Sequence, residues 1–335
     1  MSHSQRTQSG SISGPEKKTV VVTGATSGIG KAAVLEFARR NLNVMAIARN
    51  EKGLDELVSE GEQLPGQIMI QPLDVTNQDR LMGAAERAVE WFGKIDVWIN
   101  NAAVTMFGRL EVLPRDEVQR VLDINIMGYI HGARAALSQF RKQGSGTLIN
   151  VSSIVGKTGQ PFTIPYTVSK AAINSLSDCL RMELADVPGI HVCTVLPPSI
   201  DTPLFQHGAN YSGYGIKPMD PIYTAEKVVD AFVHLMDSPR REIFIGPMAK
   251  FSAAARKIAP SLIDKMMAGK VRQDHFKDET SPPSSGNLFE PDGRWITVSG
   301  GWRDGEEPST NNKLALGAGA VTVGLFTLGL LNTYR

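Results

Sequence analysis

Thr19-Val20-Val21-Val22-Thr23, followed at once by Gly24-Ala25-Thr26-Ser27-Gly28-Ile29-Gly30, is the stretch on which the fold turns. The run Thr19–Val22 reads as a strand, the glycines as a tight turn, and the pattern from about Ile29 to Arg40 as a helix. Glycine lets the backbone turn sharply and approach a pyrophosphate, which sits at the positive N-terminus of the following helix. The spacing is GxxxGxG rather than GxGxxG, so the weight falls on its position between a strand and a helix.

The same alternation continues outward from that unit. Strands are expected at Val44–Ala48, Gln67–Leu73, Ile95–Ile99, Thr147–Val151, His191–Leu196 and Glu242–Ile245. Helices are expected from Glu51, over Gln78–Phe92, Arg115–Gln143 with a break at Gly128, a segment from Tyr166 to Asp186, and Ala225–Asp237. Seven parallel strands with helices on both faces make an α/β, doubly wound Rossmann-type three-layer fold.

The chain's 335 residues hold one such domain, expected over 17–250, plus appendages. Thirty-five basic against 34 acidic residues leave a net charge of +1, which gives no electrostatic case for nucleic acid as a partner. Cys179 and Cys193 lack metal-ligand spacing and the six histidines have no HExxH or CxxC companion, so no metal site is expected.

The ends differ from the body. Residues 1–16 are polar, without an apolar run, and are expected to be disordered and not a signal peptide. Residues 251–312 read as a basic amphipathic segment, Phe251–Val271, and then a polar linker from Gln273 to Asn312. Residues 313–335 carry the apolar tail LALGAGAVTVGLFTLGLL, Leu314–Leu331, whose 18 residues reach about 27 Å as a helix. It suits a membrane anchor or a helix buried against protein; its terminal position behind a polar linker favours the anchor, with the body then facing the cytoplasm.

Two further features carry chemistry. Tyr166-Thr167-Val168-Ser169-Lys170 puts a phenol and an ammonium on one helical face, where the cation favours the phenolate. Ala48-Arg49-Asn50 ends the second strand without the carboxylate that would bond a ribose 2′-OH and repel a 2′-phosphate; Arg49 is suited to hold that phosphate instead.

The run TGATSGIG, residues 23–30, together with YxxxK, resembles the short-chain dehydrogenase/reductase family over roughly residues 17 to 250. Other motifs follow in the family's order. Leu73-Asp74-Val75 resembles the segment whose Asp bonds the adenine amino group. Asn100-Asn101-Ala102 resembles NNAG, with Ala103 in place of glycine. Leu196-Pro197-Pro198-Ser199-Ile200-Asp201-Thr202-Pro203 resembles PGxxxTP, with Pro198 in place of glycine.

The resemblance implies a catalytic set of Ser153, 13 residues before Tyr166, with Tyr166, Lys170 and Asn125, the last supporting a water-linked proton relay to the lysine. Ser152 is the neighbouring candidate, its side chain sent elsewhere by strand alternation. The cofactor-binding set is Gly24, Thr26, Ser27, Gly28, Ile29, Gly30, Arg49, Asp74, Val75, Asn101, Ala102, Tyr166, Lys170, Pro197, Ile200 and Thr202. The expected activity is NADP(H)-dependent, favoured over NAD(H), interconverting a carbonyl and an alcohol in a homodimer or homotetramer. The alternatives are an idle NADPH-binding scaffold at a membrane and a sugar-nucleotide enzyme of the family's extended branch. Specificity is expected between Pro203 and Asp220, where Phe205, Tyr211 and Tyr214 suit an apolar substrate and the loop is either a lid or plain surface.

Overall fold

The computed structural model describes residues 17–247, 255–256 and 258–303. Seven strands form one sheet: β1 (Thr19–Thr23), β2 (Asn43–Ala48), β3 (Gln67–Pro72), β4 (Val97–Asn100), β5 (Gly146–Val151), β6 (Ile190–Leu196) and β7 (Glu242–Phe244). Their order is β7-β6-β5-β4-β1-β2-β3 and every pairing is parallel. The order reverses between β1 and β4, and that reversal opens a crevice at the strands' carboxyl ends.

Helices cover both faces: α1 (Gly28–Arg39), α2 (Glu51–Gly61), α3 (Gln78–Phe92), α4 (Arg115–Leu122), α5 (Gly128–Gln143), α6 (Ile164–Glu183) and α7 (Ala225–Asp237). Strand alternation divides the core between them. Val20 and Val22 join one buried cluster with Phe37 of α1 and Phe232 of α7, while Val21 joins the other with Ala85 of α3 and Ala136 of α5.

Two boundaries move for physical reasons. Ile95 stays outside β4 because the Gln143 side chain takes both its N–H (2.9 Å) and its C=O (2.8 Å). The break expected at Gly128 falls one turn earlier, where Asp123–Met127 forms a π-helical turn between α4 and α5.

The larger correction concerns the reading of 273–312 as linker. After α8 (Pro260–Asp274), Phe276–Thr280 pairs antiparallel with Tyr214–Ile216, and the chain continues as an irregular strap that packs on the body; the compact unit reaches Trp302. Residues 1–16, 251–254, 257 and the tail 314–331 lie outside the described residues. Among the described residues no helix is long and apolar enough to cross a membrane.

Candidate active site

The glycine turn leaves β1 with Gly24 at φ +70°, and a Cβ there would stand 2.7 Å from the Ala102 Cα. A Cβ on Gly30 would collide with the Gly24 carbonyl and with Asn101. Asn101 holds this turn: its Nδ2 donates to the carbonyls of Thr23 (3.0 Å) and Gly24 (3.3 Å), and its N–H donates to Thr23 Oγ1 (3.0 Å). Asn101 and Ala102, predicted to bind cofactor, line the cavity and shape the cradle as well.

At the end of β5 the two serines separate. Ser152 Oγ donates to the Lys170 carbonyl (2.9 Å), while Ser153 Oγ donates to the Pro197 carbonyl (3.2 Å) and shares a hydrogen bond with the Tyr166 phenol. Pro165 opens α6, where a missing N–H goes unmissed, so Tyr166 sits in the first turn and Lys170 one turn on. Lys170 Nζ lies 5.5 Å from the Tyr166 ring centroid.

Lys170 is 1% exposed and donates to the Val151 carbonyl (2.8 Å) and Tyr129 OH (3.2 Å), with Tyr129 OH also donating to Val151 (2.8 Å). Burial pushes its pKa down to about 7. Burial raises Tyr166 to about 12, against a smaller lowering by the Ser153 bond. The expected ammonium-lowered phenol is therefore absent from this arrangement: desolvation wins, and Tyr166 is a protonated donor at neutral pH.

Asn125 sits in the π-helical turn, fully buried. Its side chain accepts from the Val104 N–H (2.9 Å) and donates to the Val104 carbonyl (2.9 Å) and Ser169 Oγ (3.0 Å). Those bonds lock α6 to the turn, so the side chain positions the neighbour of Lys170 and does not reach Lys170 itself.

The remaining predicted residues line one cavity of about 880 Å³ that runs from Arg49, Asp74 and Val75, past Thr26, Ser27, Gly28 and Ile29, to Ser153, Tyr166, Lys170, Pro197, Ile200 and Thr202. At its far end Asp74 is engaged. It accepts from the Thr76 N–H (2.9 Å) and hydroxyl (2.8 Å) and pairs with Arg120; Arg49 stands 3.8 Å away. Burial raises the Asp74 pKa less than the Thr76 and Arg120 bonds lower it, and the carboxylate stays ionised. Arg49 also donates to the carbonyls of Asn287 (2.7 Å), Leu288 (3.0 Å) and Phe289 (3.1 Å).

Of the loop aromatics only Phe205 faces the cavity. Tyr211 is turned to Glu117, and Tyr214 lies in a strand beside Phe276. That loop is pinned by Ala209–Asn210 pairing with Met106–Phe107. Tyr129, Arg120, His207 and the strap were not singled out by the sequence; no spacing marks them, because each reaches the site from a different element.

A glycine cradle that admits no side chain, amides at a helix start and a long adjoining cavity fit a dinucleotide, with the phenol, hydroxyl and lysine at one end. Comparison with known proteins gives the family. The family model described as short chain dehydrogenase matches residues 18–210. An uncharacterized oxidoreductase of Bacillus subtilis, YxnA, is 32% identical over 269 residues, 79% of this chain and 76% of that protein. The 3-oxoacyl-[acyl-carrier-protein] reductase FabG of Thermotoga maritima is 36% identical over 189 residues, 56% of this chain and 76% of that one. A short-chain dehydrogenase from Streptomyces avermitilis superposes with a TM-score of 0.64 at 26% identity, covering 77% of this chain and 98% of that chain. An alcohol dehydrogenase of Thermococcus sibiricus complexed with 5-hydroxy-NADP does so at 0.59 and 25%, covering 68% and 96%.

The fold and the relatives are those of an oxidoreductase acting on carbonyl or CH–OH groups. The chain belongs to the short-chain dehydrogenase family, whose members use NAD(P)(H).

Proposed function

We propose that the protein is an NADP(H)-dependent oxidoreductase that interconverts an apolar carbonyl compound and its alcohol. The convergence of Ser153, Tyr166 and Lys170 on a cavity that the glycine turn, Arg49 and Asp74 also line carries this reading. Gly24, Thr26, Ser27, Ile29 and Thr202 would hold the dinucleotide, and a bound nicotinamide supplies or removes the hydride. Tyr166 donates its phenolic proton to the substrate oxygen in reduction and takes it back in oxidation. Ser153 donates a hydrogen bond to the same oxygen where negative charge develops. Lys170, whose Nζ lies 5.5 Å from the Tyr166 ring centroid, would hold the nicotinamide ribose and tune the phenol.

Arg49, with Arg120 beside it, supports the preference for NADPH: no acidic residue ends β2, and two guanidinium groups stand at this end of the cavity beside the carboxylates of Asp74 and Glu290. The apolar character of the substrate rests on Phe205, Met219, Ile263 and Met266 along the cavity. The acyl substrate in the Thermotoga relative's name makes 3-oxoacyl thioesters one class to try. Membrane attachment through 314–331 rests on sequence alone, and extraction with and without detergent tests it.

The deciding experiment is NADPH oxidation across ketones, aldehydes, steroids and acyl thioesters with Tyr166→Phe as control. Turnover of any of them by the wild type and its loss in the variant is expected; equal turnover in the two removes Tyr166 from the chemistry.

A further inference from the structure

The strap 284–302 crosses the open side of the crevice, and it touches the predicted cofactor residues at each stage. At the adenosine end its carbonyls at 287–289 accept from Arg49, and Leu288 also accepts from Arg120 Nε (2.9 Å). Over the glycine turn, the Ile296 carbonyl accepts from Lys31 Nζ (2.8 Å) and the Thr297 carbonyl from the Gly28 N–H (2.9 Å). At the strand-end segment one carboxylate fastens it: Asp201 accepts from Ser299 Oγ (2.7 Å), the Gly300 N–H (3.1 Å) and the Trp302 N–H (2.9 Å).

The strap roofs the crevice without filling it. The cavity of about 880 Å³ continues beside it, lined by Asn287, Pro291, Trp295 and Ile296 of the strap and by Gly24, Thr26 and Ser27 of the glycine turn, to which the strap is bonded at Gly28. Two side chains stand at this seam: Asn287, whose Oδ1 has no partner among the described residues, and His207, a cavity-lining residue only 9% exposed whose ring is hydrogen-bonded to the Trp295 backbone of the strap. Buried polar atoms in native structures are nearly always paired, so Asn287 Oδ1 asks for a ligand, while His207 ties the strap to the cavity wall.

We propose that the strap is the outer wall of the dinucleotide site, with Asn287 meeting a polar atom of the bound cofactor, and that cofactor leaves only when the strap lifts. This rests on the oxidoreductase reading above and adds a segment, 284–302, that lies beyond the 18–210 match to the family. A strap that opens locally while the sheet stays folded limits exchange without altering the chemistry.

The test uses the full chain loaded with NADPH and chased with excess NADP+, the release followed by nicotinamide fluorescence. Asp201→Ala removes the acceptor of three strap donors, and NADPH release is expected to accelerate about tenfold or more, a loss within the range of hydrogen bonds to a charged group. Asp201→Asn keeps one acceptor oxygen and should restore part of the wild-type rate. KM for NADPH should rise more than kcat falls. On the wild type, amide hydrogen exchange over 287–302 should slow when NADPH binds, a measurement that stands even if the variants do not fold.

Dinucleotide binding with unchanged strap exchange and unchanged release overturns the wall. Tighter NADPH binding in Asp201→Ala, through faster association, shows a plug instead and also overturns it. Failure to bind either NADPH or NADH defeats the oxidoreductase reading along with the wall, and so is told apart from failure of the wall alone.

Discussion

The sheet body and the strap both reach the same crevice, yet they are held by different physics. In the body, each strand is fixed by a ladder to its neighbours and by alternate side chains in one of two cores, as with Val20, Val21 and Val22. The strap has one isolated bridge, Ser284 to Asn210, in place of a ladder, and few buried side chains, Leu288 being one. Its carbonyls and amides are met instead by Arg49, Arg120, Lys31, Gly28 and Asp201, residues far apart in the chain. Periodic burial builds a scaffold, and scattered charged anchors lay a detachable cover on it.

The largest expected effect sits on the rigid side. Tyr166→Phe keeps the ring and loses the proton donor, so kcat should fall by about 10²–10⁴, the range for a positioned acid–base group, with NADPH affinity held. Steady-state kinetics beside a fluorescence titration check both halves. A matching fall in affinity would mean the phenol holds the cofactor more than it moves a proton.

Next comes Lys170, whose folded pKa of about 7 lies below its ordinary 10.5. The unfolded chain therefore binds the extra proton between those values, and stability rises with pH across that window; below about 7 the penalty is present in full. Lys170→Met removes it. The melting temperature should rise at pH 6, by about 2–4 °C for each kcal/mol recovered, and the gain should shrink toward pH 10. Melting curves at the two pH values decide, and a pH-independent change would mean that packing, not charge, governs the site.

These two residues also show what could be read in advance. The seven strands follow from apolar runs between turn signals, and Ser153, Tyr166 and Lys170 from one motif spacing. The π-helical turn at Asn125 did not, because it depends on the Val104 backbone 21 residues away. Nor did the strap: a polar stretch such as GGWRDGEEPST has no period, and only the fold brings Asp201 to the amides of Gly300 and Trp302. Desolvation of Lys170 was hidden likewise, since Tyr129 and Val151 enclose it from other elements.

Arg49 joins the two regions and can separate their roles. If its guanidinium holds a 2′-phosphate, Arg49→Ala should lower kcat/KM for NADPH by about 10–100-fold, the worth of one or two charge-assisted bonds, and leave NADH nearly untouched. If it serves only the strap carbonyls, the values for both cofactors should fall together. Parallel kinetics with the two cofactors give the answer.

The smallest effect should come from the strap's far end. Trp302 donates from Nε1 to the Thr202 carbonyl (3.1 Å) and meets Phe205 edge-on at 6.0 Å between ring centroids. Trp302→Ala removes both contacts without opening either sheet core, so global unfolding in urea should shift by no more than about 0.5 kcal/mol. Local opening is another matter. Arg294, with a side chain 81% exposed, lies within the strap, and trypsin should cut after it several-fold faster in the variant, because cleavage there tracks the opened population and not global unfolding. Faster cutting at constant global stability would make the strap a separately opening unit. A drop in global stability with cutting unchanged would show that strap and sheet unfold as one body, and the contrast between them would then lie only in how they are held, not in how they move.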